Sequence, residues 1–464
     1  MTKASRLAPL PIILIILSFL CPTELSLDIS GLRLPPHRVA LLVLLPVAFF
    51  KLAFGRDQRL RSFDLVFLAY GVWTLAVYSL HMGSAGFIYG GSLALEALGG
   101  YFVARAYVRS AEELRATMRA FVAAVVVAAL IALPETLLGK IYVHEFLRQL
   151  TGYHHPISVE SRLGFTRAYG TFDHPIHYGT FCAALLALFW FAEGRARSRY
   201  LNACAMGFAT FLGLSSAPML CLGLQGGMLL WERLTRAVRS RLTLTLGALA
   251  LVYAALAVLS TRGPVALIAT GLTLDPWTGF YRLQIWDSGL KNVWSSPIIG
   301  IGLAEWSRPW WMISDTIDAF WLVITMRQGI PAFLLLATAI TLLMRAVLQR
   351  RHRHVDGSAT RIAIGWCMTV IALSLVGATV HYWNVLHAFF FFVLGLSGWI
   401  ADPSRKAAAS FAIRQGPDAM VESRSRGTGR PAAILGQPYP AAASVALHGR
   451  PYSAAMPVRA LQAG

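Results

Sequence analysis

Long apolar segments separated by polar connections make up most of this chain. Each segment is close in length to the roughly 20 residues that a helix needs to cross a bilayer. The segments lie at 7–21, 39–54, 63–80, 87–104, 117–138, 172–192, 200–214, 217–231, 242–260, 318–344, 362–380 and 383–400. This pattern predicts an all-α fold, a polytopic integral membrane protein with about 12 transmembrane helices.

The first apolar segment resembles a secretory signal peptide, because Lys3 and Arg6 precede it. A signal peptide normally ends in a small-residue cleavage site, and none follows here. Another apolar segment begins at Val39. We therefore expect 7–21 to be retained as the first span.

Charge is sparse and unevenly distributed along the chain. Charged residues make up 14% of it and hydrophobic residues 56%, whereas a soluble domain carries about 25% charged residues. The net charge of +19 would suit a nucleic-acid binder, but the basic residues concentrate in alternate connections. These connections lie at 51–61, 105–119, 195–199, 233–241 and 345–361. Since basic connections mark the cytoplasmic side, the distribution predicts cytoplasmic N- and C-termini without any nucleic-acid partner.

Two connections on the opposite, outer side are long, at about 140–171 and 261–317. Long ordered loops usually carry function, because a plain connection needs only a few residues. The end of the chain, 403–464, is rich in Ala, Gly, Pro, Ser and Arg and lacks apolar periodicity. We expect a membrane domain over 1–402 and a disordered cytoplasmic tail over 403–464.

The stretch 279–332 concentrates charges and tryptophans where the chain leaves the membrane and re-enters it. Apolar residues recur every three to four positions from Phe280 to Trp294, which predicts a helix along the membrane boundary. Pro297 should stop this helix, and Gly300 and Gly302 indicate a turn. The helix is either a simple interfacial anchor or part of a site.

The segment 318–344 opens with Asp318 and contains a second charge, Arg327. On one continuous helix Asp318 shares a face with Trp321, Thr325 and Gly329, and Arg327 is half a turn away. The two charges therefore cannot pair with each other. Since a charge in lipid is costly, each needs a partner from another span or from a ligand.

The other long outer connection supplies Arg162, Arg167 and the sequence GTFDHPIHYG at 170–179. His174 and His177 could bind a metal, but zinc sites use three or four ligands. A packing or substrate-lining role is therefore expected for both histidines. The five cysteines lie in apolar segments without CxxC spacing, so neither a metal site nor a disulfide is expected.

Four sequence blocks together resemble a known family. They are RAYGTFDHPIHYG at 167–179, LSSAP at 214–218, RLQIWDSGLKNVWSSPIIGIGLAEW at 282–306 and DAFWLVITMRQGIPA at 318–332. In this order they resemble the O-antigen ligase and Wzy-type O-antigen and exopolysaccharide polymerase family of bacterial inner membranes. The likeness covers roughly residues 60–400, and the large outer loop between the ninth and tenth spans agrees with it.

The resemblance implies a membrane glycosyltransferase that acts at the periplasmic face. Such enzymes transfer a glycan from undecaprenyl diphosphate to an acceptor hydroxyl, on lipid A core for ligases and on another lipid-linked repeat unit for polymerases. The ligases carry an essential His followed by an amide residue, then nine residues and G-x-x-G. Here those positions hold Asp318, Ala319, Gly329 and Ala332. The Asp-containing form is more similar to exopolysaccharide polymerases, with the ligase as the alternative.

Candidate roles follow from this chemistry. A departing diphosphate needs cations, for which we choose Arg282 with Arg162 and Arg167. An acceptor hydroxyl needs a base, for which we choose Asp318. The remaining substrate-binding candidates are Glu305 and Asp315 as reserve carboxylates, then His174, His177, Trp286, Trp306 and Arg308. The tryptophans either stack on sugars or anchor the loop, and neither a metal nor a cofactor is expected.

The expected partners are an undecaprenyl-diphosphate-linked oligosaccharide, an acceptor glycan or glycolipid, the lipid bilayer, and polysaccharide co-polymerase or export proteins. A transporter of polysaccharide or lipid-linked glycan is the alternative from another class, although no matching halves are evident in the sequence. A non-catalytic partner in polysaccharide assembly is a third reading. It predicts that the outer charged residues tolerate neutral substitution.

Overall fold

The computed structural model describes most of the chain before residue 403. The described residues are 7–29, 32–55, 59–153, 157–238, 240–259, 271, 276–312, 314–350 and 357–402. The predicted tail at 403–464 and part of the predicted outer loop at 261–317 lie outside them. The described residues all belong to one structural unit.

Helices dominate the described residues, and two small antiparallel hairpins join them. The helices are α1 Leu10–Leu20, α2 Pro36–Phe54, α3 Ser62–Tyr107, α4 Ala111–Leu138, α5 Tyr142–Thr151, α6 Pro175–Ala183, α7 Leu186–Ala192, α8 Ala196–Leu212, α9 Ser216–Leu234, α10 Arg241–Leu259, α11 Pro276–Ser295, α12 Phe320–Gln328, α13 Ile330–Arg350, α14 Ser358–Val376, α15 Asn384–Gly395 and α16 Gly398–Ala401. The strands are β1 Leu27–Ile29 with β2 Leu32–Leu34, and β3 Ser161–Arg162 with β4 Phe165–Thr166.

Seven helical stretches among the described residues are long and apolar enough to cross a membrane. They are Pro36–Phe54, Ser62–Tyr107, Ala111–Leu138, Pro175–Ala192, Ile330–Arg350, Ser358–Val376 and Asn384–Ala401. The chain is thus a mostly helical, multi-span membrane protein. The predicted span at 7–21 yields the shorter α1 of 11 residues, so the count of twelve spans stays a prediction.

Helix α3 contains two of the predicted spans, 63–80 and 87–104, as two arms. The chain reverses between them at Gly83, whose backbone φ is 59°. The arms approach so closely that a Cβ added at Gly86 would lie 1.8 Å from the carbonyl oxygen of Tyr78. The small residues of the predicted neutral connection at 81–86 therefore allow a tight reversal.

Helix α15 forms the centre of the bundle, and all of its residues from Val385 to Gly395 are buried. Such a helix is apolar on every face because neighbours surround it. Phe389 stacks on Phe121 of α4 with ring centroids 5.7 Å apart, and Phe391 stacks on Tyr70 of α3 at the same separation. These contacts join the first and last parts of the chain.

The segment 318–344 is divided, which corrects the prediction of one continuous helix. Helix α12 ends at Gln328, α13 begins at Ile330, and Gly329 between them has a φ of 84°. The carbonyl oxygen of Ile298 occupies the space beside Gly329, where an added Cβ would approach it to 1.9 Å. Only glycine meets both requirements, since other residues rarely adopt positive φ. The outer loop therefore packs directly on the helix break.

Arg327 holds the loop against this helix break. Its Nη1 donates hydrogen bonds to the carbonyl oxygens of Gly302 at 3.1 Å and Ala304 at 2.5 Å. The backbone N–H of Gly302 donates in turn to the carbonyl oxygen of Arg327 at 3.0 Å. The partner expected from another span or a ligand is thus the backbone of the outer loop. Arg327 fixes the turn at 300–302 to α12.

Candidate functional site

The connections predicted to lie on the outer side converge on one cavity of about 390 Å³. Five of the sequence-selected residues line it although they lie in three separate parts of the chain. They are Arg162, Arg167, His174, Arg282 and Asp318. The resembling blocks at 167–179, 214–218, 282–306 and 318–332 each contribute at least one lining residue. The fold therefore brings the four blocks to a common cavity.

The β3–β4 hairpin carries Arg162 to the cavity. Leu163 and Gly164 form its two-residue turn with φ values of 55° and 81°. Two positive φ values in succession are the geometry that matches the twist of paired strands in a tight hairpin. Nη1 of Arg162 lies 3.5 Å from the carbonyl oxygen of Leu214, at the turn between α8 and α9. The hairpin and that turn thus form one wall.

Arg167 is fixed in the same wall and is buried. Its guanidinium pairs with Glu160 and donates to the hydroxyl of Ser215 at 2.9 Å. The next residue, Ala168, donates its N–H to the carbonyl oxygen of Leu212 at 3.1 Å. Because two side chains already engage it, Arg167 is held in place more firmly than a surface arginine.

Arg282 projects from α11 and differs from Arg167 in its surroundings. Only 9% of the residue is exposed, yet its side chain makes no hydrogen bond with any residue that the structure describes. Burial lowers the pKa of its guanidinium, the nearby carboxylate of Asp318 opposes this, and Arg162 and Arg167 add to the lowering. A buried guanidinium without a protein hydrogen bond is costly, so a ligand with acceptor oxygens would stabilise it.

Asp318 lies just before α12 rather than on it. The N–H of Phe320 donates to the carbonyl oxygen of Val380 at 3.0 Å, which ties this point of the chain to the connection between α14 and α15. Within the described residues the Asp318 carboxylate accepts no hydrogen bond. Burial raises its pKa, and the positive charge of Arg282 partly offsets this effect. A carboxylate of raised pKa that accepts no hydrogen bond is suited to accept a proton.

A further wall was missed by the sequence reasoning, which named no cavity role for Asp173, His381 or Trp383. Asp173 accepts hydrogen bonds from the Thr23 hydroxyl at 2.5 Å and from the Asn384 amide at 2.8 Å. His381 and Trp383 come from the connection between α14 and α15. For His381 and Trp383 the available signal was the sequence HYW at 381–383, where the predicted apolar segments 362–380 and 383–400 meet on the predicted outer side.

The two histidines of the 170–179 block separate in the structure. His174 lines the cavity and caps α6, since its Nδ1 accepts the N–H of Ile176 at 3.1 Å. His177 is buried below, its Nε2 3.2 Å from the carbonyl oxygen of His381. No group of three or more His, Cys, Asp or Glu residues that could hold a metal ion occurs in the described part of the chain.

The remaining sequence-selected residues do not line the cavity. Trp306 donates its indole N–H to the carbonyl oxygen of Asp315 at 2.9 Å and packs in a small core of the outer loop. Arg308 pairs with Glu305, whose side chain is 79% exposed. Trp286 donates to the carbonyl oxygen of Ala378 at 2.8 Å. These contacts join parts of the loop to each other and, through Trp286, to the connection between α14 and α15. They are the contacts expected if the two tryptophans anchor the loop.

A larger groove of 680 Å³ lies elsewhere, between α7, α8 and α9. Its lining includes Trp190 and, from the connections predicted to be cytoplasmic, Arg199 and Arg233, but none of the sequence-selected residues. Volume alone is a poor guide to chemistry. The smaller cavity brings three carboxylates, Glu160, Asp173 and Asp318, together with three arginines, so it is the candidate site.

Comparisons with known proteins do not identify the chain. No protein-family model matches it, and no curated protein matches its sequence. The function is therefore inferred from the residues of the cavity and from the sequence resemblance.

Proposed function

We propose that the chain is a glycosyltransferase of the bacterial inner membrane that acts at the periplasmic face. It transfers a glycan from undecaprenyl diphosphate to an acceptor sugar hydroxyl and polymerises repeat units of an exopolysaccharide or O-antigen. The observation that carries the proposal is the buried guanidinium of Arg282 beside Asp318, in a cavity also walled by Arg162 and Arg167. The resemblance to the O-antigen ligase and polymerase family supports it.

A diphosphate fits the basic side of the cavity. Guanidinium groups meet phosphate oxygens through two parallel hydrogen bonds, and these charge-assisted bonds are stronger than neutral ones. Arg282 makes no such bond to the described residues, whereas Arg167 is already engaged by Glu160 and Ser215. Arg282 is therefore the direct ligand of the diphosphate, and Arg162 and Arg167 supply a positive surrounding.

The reaction needs no covalent enzyme intermediate, because the donor already carries its leaving group. The acceptor oxygen forms a bond to the anomeric carbon of the donor sugar while the bond from that carbon to the diphosphate oxygen breaks. Asp318 takes the hydroxyl proton, and the electron pair of the broken bond leaves with undecaprenyl diphosphate. Arg282 stabilises the charge that develops on the departing oxygen. A single displacement inverts the configuration of the anomeric carbon.

An apolar groove lined partly by the helix that carries Arg282 and the helix that follows Asp318 supports a lipid-linked donor. The groove has a volume of about 420 Å³, and its lining includes Trp286, Trp321 and Phe333. Trp286 lies one helical turn after Arg282, and Trp321 follows Asp318 by three residues. A prenyl chain in this groove would therefore begin next to the phosphate-binding arginine.

The proposed topology has twelve spans, both termini in the cytoplasm and the large periplasmic loop at 261–317 between the ninth and tenth spans. The cavity residues come from connections that the charge distribution assigns to the outer side and from the adjoining ends of the predicted apolar segments. A site there can receive a lipid-linked glycan after it has crossed the membrane. Polysaccharide co-polymerase or export proteins would then act with the chain.

The test is a transfer assay with the purified full chain in nanodiscs. The substrate is the lipid-linked saccharide that accumulates in cells lacking the chain, supplied with and without lipid A core. A ladder of products without core identifies a polymerase, and a single addition that requires core identifies the ligase alternative. Movement of lipid-linked saccharide across vesicles without any transfer would contradict the enzyme and favour a transporter.

A further inference from the structure

Trp383 is placed differently from the other tryptophans around the site. It lines the cavity directly, and the buried His177 ring packs against it with ring centroids 3.6 Å apart. The rings of His174 and His381, which also line the cavity, lie 5.8 and 5.5 Å from it. Trp383 is thus the centre of an aromatic wall whose geometry is fixed by three imidazoles.

Its indole N–H distinguishes Trp383 further. The indole N–H groups of Trp286, Trp306 and Trp321 donate to backbone carbonyl oxygens at 2.7–2.9 Å, so these rings are fixed to the protein. The indole N–H of Trp383 donates to no residue that the structure describes. A half-buried tryptophan with an apolar face and an N–H that has no protein acceptor is suited to a ligand with the same two properties.

The imidazoles add polar groups to this wall. Because Nδ1 of His174 accepts the N–H of Ile176, the ring of neutral His174 carries its proton on Nε2. Burial, with smaller contributions from His387 and Arg327, lowers the pKa of His381 to about 3, so this ring is neutral at physiological pH. Neutral donors and acceptors beside an aromatic face match a sugar, whose ring carries hydroxyls on its edge and C–H groups on its face.

We propose that Trp383, His174 and His381 form a sugar-ring subsite of the cavity, in which the pyranose C–H face stacks on Trp383 and a sugar hydroxyl accepts its indole N–H. The proposal rests on the proposed function, since it assigns the aromatic wall to the saccharide and the arginine wall to the diphosphate. Trp383 is then a specificity residue for the glycan rather than for the lipid carrier. The sugar belongs to either the donor or the acceptor.

Binding measurements on the full chain in nanodiscs separate the two walls. The probes are undecaprenyl diphosphate without sugar and the lipid-linked saccharide that accumulates in cells lacking the chain. Trp383→Ala should raise the Kd for the lipid-linked saccharide about tenfold and leave the Kd for undecaprenyl diphosphate unchanged, if the donor sugar stacks on the indole. Trp383→Phe keeps a ring but removes the N–H, and should give a smaller loss. Trp294→Ala removes a 73% exposed indole of α11 outside the cavity and is the control, expected to change neither Kd.

The outcomes also distinguish the source of the sugar. An unchanged Kd for the lipid-linked saccharide together with a raised KM for the acceptor assigns the stacked ring to the acceptor. The subsite is overturned if Trp383→Ala changes neither quantity, or if it weakens undecaprenyl diphosphate as much as the saccharide. If the wild-type chain binds neither lipid, the proposed function fails together with the subsite.

Discussion

Two side chains, Arg282 and Asp318, carry most of the chemistry that we propose. They lie in the same cavity and influence each other electrostatically, although no direct salt bridge joins them. This separation leaves room for a ligand between cation and carboxylate. If they were paired directly, their charges would neutralise each other and both groups would interact less strongly with a substrate.

The two parallel hydrogen bonds proposed between Arg282 and the diphosphate can be tested by a conservative substitution. Arg282→Lys keeps the charge but replaces a bidentate donor with a point charge, so turnover should fall about 100-fold. Arg148→Lys is the matched control on α5, where the arginine is exposed, and turnover should stay within about twofold of wild type. Transfer of labelled saccharide measures both variants. Equal turnover by Arg282→Lys and wild type would reduce Arg282 to a loop anchor.

The raised pKa of Asp318 predicts a pH dependence. A protonated carboxyl cannot act as a base, so the rate should be fully developed above the pKa of Asp318 and fall as the pH drops through it. Because burial raises that pKa, the acidic limb should lie above the ordinary aspartate value of about 3.9. The measurement is kcat against pH, with the exposed Asp315→Asn as a variant that keeps the limb. A rate that stays constant down to pH of about 4 would exclude Asp318 as the base.

The sequence showed which residue types belong to the site better than it showed which way their side chains point. Arg162, Arg167, Arg282, His174 and Asp318 were selected for their chemistry, and all line the cavity. Glu305 and Arg308 have the same chemistry and lie three residues apart, but they pair with each other within the loop. Composition and spacing do not show which way an irregular loop turns its side chains.

At the scale of elements, the loop and the helix break form one hydrogen-bonded unit. Residues of the turn at 297–302 hydrogen-bond to the end of α12 and the start of α13, and Arg327 closes the contact. This places α11 and the beginning of α12 at the cavity together. The segment 318–344 is apolar on both sides of Gly329, so the apolar pattern predicted one helix and not the division there. The periodicity from Phe280 to Trp294 did predict the helix observed over Pro276–Ser295 and the turn after it.

Gly329 is the residue on which the packing of the loop against the helix break depends. Gly329→Ala requires both a positive φ and a Cβ in the space of the Ile298 carbonyl, so it should lower the free energy of unfolding by about 2 kcal/mol or more. Gly227→Ala on α9 is the control, because its Cβ would meet open space and the helix should be stabilised slightly. Thermal unfolding in detergent measures both. A melting temperature of Gly329→Ala equal to that of wild type would show that the loop does not depend on this contact.

At the scale of the whole molecule, the charge distribution predicts how the chain is oriented in the membrane. The proposal requires the cavity to face the periplasm and the basic connections to face the cytoplasm. The sequence supports this through alternating basic and neutral connections, and the seven spanning stretches support membrane insertion. The exact number of spans depends on segments such as 7–21 and 242–260, where the described apolar stretches, Leu10–Leu20 and Thr243–Ala254, are shorter than a membrane span.

Orientation is testable by labelling single cysteines in a chain whose own five cysteines are replaced. A membrane-impermeant maleimide should label Glu305→Cys in intact spheroplasts, because that side chain is exposed on the outer loop. It should label Gly194→Cys, in the connection between α7 and α8, only after permeabilisation. The reverse pattern would place the cavity in the cytoplasm and contradict a periplasmic transferase.

The most direct test of the central claim compares Asp318→Asn with Asp315→Asn in the nanodisc transfer assay. The first change removes the proposed base and keeps a side chain of the same size, so transfer should fall about 100-fold or more. The second removes an exposed carboxylate outside the cavity, and its transfer should match wild type. Bound undecaprenyl diphosphate should be retained by both variants, which shows that they are folded. Full product formation by Asp318→Asn would contradict the proposed catalytic role of this cavity.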